Sequence, residues 1–342
     1  MNKIFLTVDV ESHDLHRENQ YVWGKCRTGE YGIKYILEQG EKYKIPINFF
    51  LDFAEENAYG EYYIEQIKSV IESYGQPIFL HLHPDFLISD SRSYLWEYSK
   101  EEQKKILEQG IALYVKHMGK KPAAFRAGRY GVNVDTYQLL NELLPGVIDF
   151  SYCGGVGNMC HITKKQANTF SHYSKYGDIG IFPNAQFVAF DLLGKKKYVG
   201  IDCSEMSITE FKEFINQAAG RDFVLTMHSW NFINKYFWNK KYVGKNRVND
   251  RLFHKMVKVA NQYGYQFENI NDFNFNTSLN QKDFLYNACN TFLKKIRSIG
   301  LNFWRFQEMS KISKKYGYIY MIFYLSALII LIYFIYKMRV WI

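Results

Sequence analysis

The chain has 342 residues, enough for one large domain or two of ordinary size. An aromatic content of 18% excludes an intrinsically disordered protein. The formal net charge of +9 is modest for this length, the bases do not form one stripe, and no nucleic-acid-binding motif occurs, so we expect no nucleic-acid partner. The 5 cysteines are odd in number and include no CxxC spacing, which favours a reducing compartment over a disulfide framework.

Short apolar runs alternate with helical patterns along most of the chain. Strands are predicted at Ile4–Asp9, Pro46–Leu51, Ile78–His81, Ala123–Arg126, Val147–Phe150 and Phe223–Met227. Helices are predicted at Tyr31–Tyr43, Tyr62–Tyr74, Lys100–Met118, Val134–Leu144, Ile208–Ala219 and Arg251–Tyr263, and the Gly-rich stretch 152–205 is expected to be irregular with extra strands. This alternation predicts an α/β fold of βα units around a parallel sheet, which can close into a (β/α) barrel.

The last fifth of the chain differs in composition. Residues 276–315 combine amphipathic spacing with many bases, which predicts a juxtamembrane segment along lipid headgroups. Residues 316–336 carry no charge and have tyrosines at both ends, which predicts a transmembrane helix, with a buried core helix as the alternative. A short tail, 337–342, would follow.

The flanking bases predict the orientation of such a single-pass anchor. More lysines and arginines precede the uncharged segment than follow it, so the positive-inside bias places the N-terminal domain, residues 1–275, in the cytoplasm. The N-terminus "MNKIFLTVDVES" lacks the apolar stretch of a signal peptide and agrees with this expectation.

Polar residues collect where the predicted strands end. They are Asp9 and Glu11 at the end of the first strand, His81, His83 and Asp85 at the end of the third, Arg126 at the end of the fourth, Asp149 near the end of the fifth, and His228 at the end of the strand "FVLTM". In parallel α/β barrels the chemistry lies at the carboxyl ends of the strands, so this placement predicts one active site.

The types of these residues indicate a metal centre. Asp9 and Glu11 are two apart in an extended segment and share a face, and two converging carboxylates favour a cation between them, although a pair of turn acids is the alternative. His81 and His83 can share a face in the same way, and imidazoles with a carboxylate are typical zinc or cobalt ligands. Separately, each histidine could also be a structural residue.

Two further residues supply the remaining chemistry. Arg126 is always charged and can orient a carboxylate, and the Gly-rich turn that follows it can present backbone N–H groups to an oxyanion. His228 is placed to act as a general acid if a neighbour holds its ring.

These motifs, in this order, resemble the polysaccharide deacetylase family, also called the NodB-homology family or carbohydrate esterase family 4. The resemblance covers roughly residues 1–270. "TVDVES" is similar to the first motif and implies Asp9 as catalytic base and Glu11 as metal carboxylate. "FRAGRYG" matches the third at Arg126, with the Tyr130–Gly131 backbone as oxyanion contact. "DFSY" matches the fourth loosely at Asp149, and "LTMH" matches the fifth at His228.

The second motif departs from the family pattern of two metal histidines four residues apart. In "HLHPD" His81 matches the first histidine, but Asp85 stands four residues later. The second ligand is therefore either His83 or Asp85, and we favour His83.

The resemblance implies a distorted barrel of the NodB type that uses a divalent metal, zinc first and cobalt or nickel as alternatives. It implies removal of an N-acyl group, an acetyl group first, from an amino sugar. With the predicted anchor, the expected substrate is a membrane-associated glycan or a lipid-linked saccharide in surface polysaccharide synthesis. The alternatives are a deformylase or other amide hydrolase on a lipid-linked sugar, and a non-catalytic, membrane-tethered glycan-binding protein.

Overall fold

The structure is a computed structural model that describes residues 2–12, 18–153, 159–162, 174–192, 195–218, 220–235, 242–274, 285–286, 322, 325–326 and 329. Its strands, in chain order, are β1 (Asn2–Val10), β2 (Lys25–Cys26), β3 (Gly29–Glu30), β4 (Asn48–Asp52), β5 (Ile78–Leu82), β6 (Ala124–Ala127), β7 (Ile148–Asp149), β8 (Ser174–Tyr176), β9 (Ile179–Ile181), β10 (Gln186–Leu192), β11 (Lys195–Gly200), β12 (Phe223–His228), β13 (Ile233–Lys235), β14 (Tyr242–Lys245), β15 (Tyr265–Phe267) and β16 (Leu285–Tyr286).

The main sheet has 9 strands in the order β12-β1-β4-β5-β6-β7-β9-β8, with β15 also pairing with β1. Every pair is parallel except β8 with β9, as expected when helices connect successive strands. Within the described residues, hydrogen bonding does not join β12 to β8. The mostly parallel α/β sheet predicted from the alternation is therefore present, whereas a closed ring of strands is not seen.

The helices are α1 (Glu18–Tyr21), α2 (Ile33–Tyr43), α3 (Glu56–Tyr59), α4 (Glu61–Ser73), α5 (Lys100–Met118), α6 (Val134–Leu143), α7 (Ile208–Gln217) and α8 (Arg247–Gln262). Local sequence defines several of their ends. Ser99 caps α5 by accepting from the Glu102 amide, and Glu102 reaches back to the Ser99 amide. Gly119, in the left-handed region at φ +67°, ends the same helix.

The core is aromatic and lies on the sheet. Phe5, Phe150 and Phe182 are fully buried, and their rings pack edge-on or stacked at centroid distances of 5.0–6.4 Å. Every residue of β4 and β5 is buried, as expected for strands covered on both faces. This core fixes the carboxyl ends of the strands, where the predicted site residues lie.

The membrane-related predictions fall on other parts of the chain. No helix among the described residues is long and apolar enough to cross a membrane. The predicted transmembrane segment 316–336 lies outside the described residues except at four positions, and the juxtamembrane segment 276–315 lies outside them except at 285–286. Both stay predictions.

Candidate active site

Strand register brings the predicted site residues into one row. Asp9 on β1 lies opposite His228 on β12, and His81 on β5 lies opposite Arg126 on β6. Because neighbouring parallel strands end at the same edge of a sheet, their polar ends open into a common cavity of about 540 Å³. Its lining includes Asp9, Glu11, His81, His83, Asp85, Tyr130 and His228.

Three residues form a compact group of metal-ligand type. One ligand atom from each of Glu11, His81 and His83 lies within 4.8 Å of the others, and all three side chains are buried. The Nε2 atoms of the two histidines are 3.1 Å apart, His81 Nε2 is 3.2 Å from Glu11 Oε2, and His83 Nε2 also contacts that oxygen. Two ring nitrogens and a carboxylate aimed at one point fit a divalent cation.

Hydrogen bonding orients His81 for this role. Its Nδ1 lies 3.0 Å from the Arg126 carbonyl oxygen, to which it can only donate. The Nε2 lone pair then faces Glu11 and His83. A metal-binding histidine is held in this way when its outer nitrogen donates to a backbone carbonyl.

The charges of the group also favour a bound cation. Burial alone would raise the pKa of the Glu11 carboxyl, but the charge of His83 and hydrogen bonds with both histidines hold that pKa well below its usual range. Burial opposes the charge on His83, yet Glu11 and Asp85 raise the pKa of this imidazole to about 10. The cluster therefore stabilises positive charge, which a proton or a metal can supply.

Asp85, the alternative ligand, is not part of this group. Its Oδ2 lies 3.4 Å from Nδ1 of His83, the nitrogen that faces away from Glu11, and accepts from Arg129 Nη1 at 2.6 Å. Arg129 Nη1 also lies 3.0 Å from His83 Nδ1. Pro84 turns the chain directly after His83. The side chains of Glu11 and Asp85 therefore lie on opposite sides of the His83 ring. The geometry thus matches His83 and not Asp85, which supports the ring from behind.

The turn after β6 is strained and tightly packed. Arg129 and Tyr130 both adopt left-handed conformations, with φ +54° and φ +57°, which non-glycine residues rarely do. This conformation directs Arg129 toward His83 and Tyr130 into the cavity. Of the two amides predicted to face an oxyanion, that of Gly131 donates to the Gly128 carbonyl at 3.0 Å, which leaves Tyr130 as the candidate.

Replacing Gly128 with alanine is expected to weaken metal binding by about 10- to 100-fold. A Cβ at this position would lie 2.5 Å from the His83 ring, so the ring must move. Metal affinity by competition with a chromophoric chelator measures the effect. Gly200→Ala is the matched control because its Cβ would meet no atom within 4 Å, and equal affinities of the two variants would contradict the packing argument.

Asp9 is held by a buried ion pair. Its Oδ1 accepts from Arg126 Nη1 at 2.5 Å, while Arg126 also donates to Thr7 Oγ1 at 3.0 Å and to the Phe150 carbonyl at 3.3 Å. Arg126 is fully buried and its guanidinium lies 4.3 Å from the centroid of the Phe50 ring. Arg126 therefore acts on the cavity through Asp9, which lines it.

His228 has two neighbours that the sequence did not reveal. The carboxylate of buried Asp202 lies 3.9 Å from its Nδ1, and Trp230 stacks on its ring at a centroid distance of 4.6 Å. Burial raises the pKa of Asp202, although His228 and hydrogen bonds from Ser204 and Asn231 oppose this shift. Asp202 lies in the irregular stretch before α7, where no periodic pattern marks it, and only its pairing beside Thr226 of β12 brings it close.

Asp149, for which the sequence predicts a catalytic role, is not among the residues that line the cavity. Its carboxylate accepts from Ser151 Oγ at 2.5 Å, from the Ser151 amide at 3.1 Å and from Tyr137 at 3.2 Å. Ser151 Oγ in turn accepts from the Ala127 amide at 2.8 Å. Asp149 therefore braces the end of β6, and burial raises its pKa to about 6.

The stability contribution of Asp149 is expected to fall as pH rises. Because the folded pKa of about 6 exceeds the unfolded value of about 3.9, the folded state binds the proton more tightly, and this advantage is lost between about pH 4 and 6. Relative to Asp149→Asn, the wild type should lose about 3 kcal/mol of unfolding free energy across this window. Urea unfolding of both proteins at pH 4 to 8 measures the difference, and a pH-independent difference would contradict it.

Two buried carboxylates behind the metal-type group were also missed. Asp52 accepts from the His83 amide at 3.4 Å, and burial raises its pKa to about 6. Glu55 accepts from the Ser12 amide and from Tyr63 at 2.9 Å. They tie together the backbone that carries His83 and the backbone that follows Glu11. The position of Asp52 at the end of β4, and of Glu55 just after it, was the available signal in the sequence.

No family model and no curated protein matches the sequence. Solved structures similar to the chain include a candidate polysaccharide deacetylase from Mycobacterium smegmatis, at 15% identity over 75% of this chain and 83% of that one, TM-score 0.45. A family 4 carbohydrate esterase from Streptomyces lividans in complex with acetate is 9% identical over 83% and 98%, TM-score 0.43. A family 4 pseudoenzyme from Bacillus anthracis is 12% identical over 84% and 69%, TM-score 0.41. These proteins are described as a polysaccharide deacetylase or as members of carbohydrate esterase family 4.

Proposed function

We propose that the protein is a metal-dependent hydrolase that removes an N-acyl group, an acetyl group first, from an amino sugar. The observation that carries the proposal is the convergence of Glu11, His81 and His83 beside Asp9 and opposite His228 in one cavity. It combines a three-residue ligand set, a held carboxylate and a partly exposed imidazole, which together suffice for amide hydrolysis.

The ligand set fits zinc best, with cobalt or nickel as alternatives, because two imidazoles and one carboxylate are typical of catalytic zinc sites with an open position. A divalent metal bound there would supply a Lewis acid and lower the pKa of a water molecule. Glu11, His81 and His83 would hold it. The Arg126 carbonyl would fix the ring of His81 from outside, and the carboxylate of Asp85, 3.4 Å from Nδ1 of His83, is the acceptor beside the other ring.

The remaining residues of the site provide proton transfer and positioning. Asp9 accepts the proton of the water that attacks the amide carbonyl carbon, and Arg126 holds this carboxylate in place. His228 donates a proton to the nitrogen as the C–N bond breaks, so that the products are a carboxylic acid and a free amine. The Tyr130 amide is the proposed donor to the developing oxyanion.

The predicted membrane segment limits which substrates the site can meet. If residues 316–336 anchor the chain with the catalytic domain on the cytoplasmic side, the site meets saccharides carried on lipids and glycan intermediates of surface polysaccharide synthesis. This placement rests on sequence alone: the charge bias of the flanks and the uncharged segment.

The proposal is tested by product analysis with the purified full chain and one equivalent of zinc. Free and lipid-linked N-acetylated amino sugars are offered as substrates, and the acetate and the new primary amine are measured. The two products should appear in equal amounts. N-formyl analogues of the same sugars test the deformylase alternative, because a deformylase would release formate from them. Binding of these sugars without release of acid, by a chain that holds its metal, would overturn the hydrolase and favour the glycan-binding alternative.

A further inference from the structure

Helix α8 presents a one-signed face to solvent. Its apolar side, which includes Phe253, Met256 and Val257, is buried against the sheet. The opposite side exposes four bases at spacings of four, four and three residues, here called the basic ridge: Arg247, Arg251, Lys255 and Lys258. Since a helix turns by 3.6 residues, these four side chains form one line along the helix.

Among the residues that the structure describes, no acid pairs with the bases of the ridge. The one acidic residue of α8, Asp250, is turned inward, where it pairs with Lys245 at 2.9 Å and accepts from Tyr35 at 2.6 Å. None of the four bases forms an ion pair with any residue that the structure describes. Like charges three and four residues apart destabilise a helix, so the arrangement is unfavourable unless an external anionic surface compensates it.

Exposed apolar groups accompany the bases. Val248, beside the first base, is 74% exposed, and Tyr263, directly after the helix, is 45% exposed. A depression whose lining includes Tyr43, Lys255, Val257 and Lys258 lies beside the ridge. Lysine and arginine heads above apolar stems and an aromatic ring are typical of proteins that lie on lipid headgroups.

The ridge begins where α8 contacts the segment that follows His228. Asn249 of α8 donates to the Asn231 carbonyl at 2.8 Å, and Asn231 Oδ1 accepts from the His228 amide at 3.2 Å. The amide of Asn246, the residue that caps α8, donates to the Phe232 carbonyl at 2.7 Å. A surface that contacts the ridge therefore lies next to the loop that carries His228.

We propose that the basic ridge docks onto an anionic lipid surface and places the cavity at the level of the headgroups. The substrate class is then an amino sugar whose carrier is a membrane lipid, an inference that rests on the proposed function. Charge complementarity favours lipid over an acidic protein, because a straight line of bases with shallow apolar contacts matches a continuous layer of headgroups better than a discrete binding partner.

Lysine footprinting tests the docking on the full chain. The protein is bound to vesicles of phosphatidylcholine alone or with about 30% phosphatidylglycerol, and rates of acetylation by an amine-reactive reagent are read by mass spectrometry. Lys255 and Lys258 should react several-fold more slowly on the anionic vesicles, whereas exposed Lys120 and Lys121, after α5, should not change. Equal rates for Lys255 and Lys258 on both vesicles would overturn the proposal.

A charge-matched pair of variants adds a second readout. Vesicle affinity is measured at low and at high salt. Changing the four ridge bases to glutamine should reduce the gain in affinity for the anionic vesicles at low salt by more than about tenfold. The control changes to glutamine Lys100, Lys105, Lys120 and Lys121, which are also exposed and carry the same total charge. Equal weakening by both variants would show a response to net charge and contradict a docking face.

The same variants separate this inference from the proposed function. Hydrolysis of a water-soluble N-acetylated amino sugar should be unchanged in the ridge variant, and hydrolysis of a lipid-linked one in anionic vesicles should fall. Protection of the ridge without any hydrolysis by the wild type would overturn the proposed function and leave the docking surface intact.

Discussion

Replacing Asp9 with asparagine is expected to lower kcat by a factor of about 10² to 10⁴, the usual contribution of a general base. The amide keeps the size of the side chain but cannot accept the proton of the attacking water. Bound metal should stay near one equivalent, because Asp9 is not among Glu11, His81 and His83. Initial rates of acetate release and metal content by atomic absorption measure the two quantities.

Asp149→Asn is the matched control for this change. It makes the same substitution in another buried aspartate at a strand end, but one that lies outside the cavity. Its kcat should stay close to that of the wild type. A large loss in Asp149→Asn with little loss in Asp9→Asn would reverse the roles assigned to the two residues.

Replacing Arg126 with methionine should destabilise the fold by about 3–5 kcal/mol. The change leaves Asp9 buried without its cationic partner, and it removes the donors to Thr7 and to the Phe150 carbonyl. The midpoint and slope of urea unfolding, followed by circular dichroism, give the free energy of unfolding. Acetate release should also fall, since Asp9 is then free to turn.

The double variant Asp9→Asn with Arg126→Met is the control for this explanation. With both charges removed, no uncompensated charge remains, so the double variant should be more stable than the sum of the two single losses predicts. It should still lack activity. Strictly additive losses would show that the ion pair does not account for the stability effect.

The arrangement of the sheet could be predicted from the sequence because its signals are local. Apolar runs of strand length mark β1, β4, β5 and β12, and long periodic segments mark α5 and α6, whose bounds agree with the prediction within one residue. The placement of the site residues in one row could be predicted because neighbouring parallel strands end at the same edge of a sheet. Helix α8 begins at Arg247, four residues before the predicted start, because Asn246 caps a polar first turn that carries little apolar pattern.

The details of the site could not be predicted because they depend on contacts distant in the chain. Spacing alone allowed His83 or Asp85 as the second ligand, and only the turn at Pro84 separates them in space. Asp202 reaches His228 through strand pairing across an irregular region. Asp149 matched a motif position, yet its neighbours Ser151 and Tyr137 use its carboxylate for structural hydrogen bonds.

The central claim is that Glu11, His81 and His83 hold the metal of a hydrolase. Anomalous diffraction at the zinc absorption edge, from crystals of the full chain grown with one equivalent of zinc, tests it most directly. We expect one peak about 2.0–2.2 Å from a Glu11 oxygen and from Nε2 of both His81 and His83, with Asp85 outside the coordination sphere. A peak bound by Asp85 in place of His83, or no peak among these residues, would contradict it.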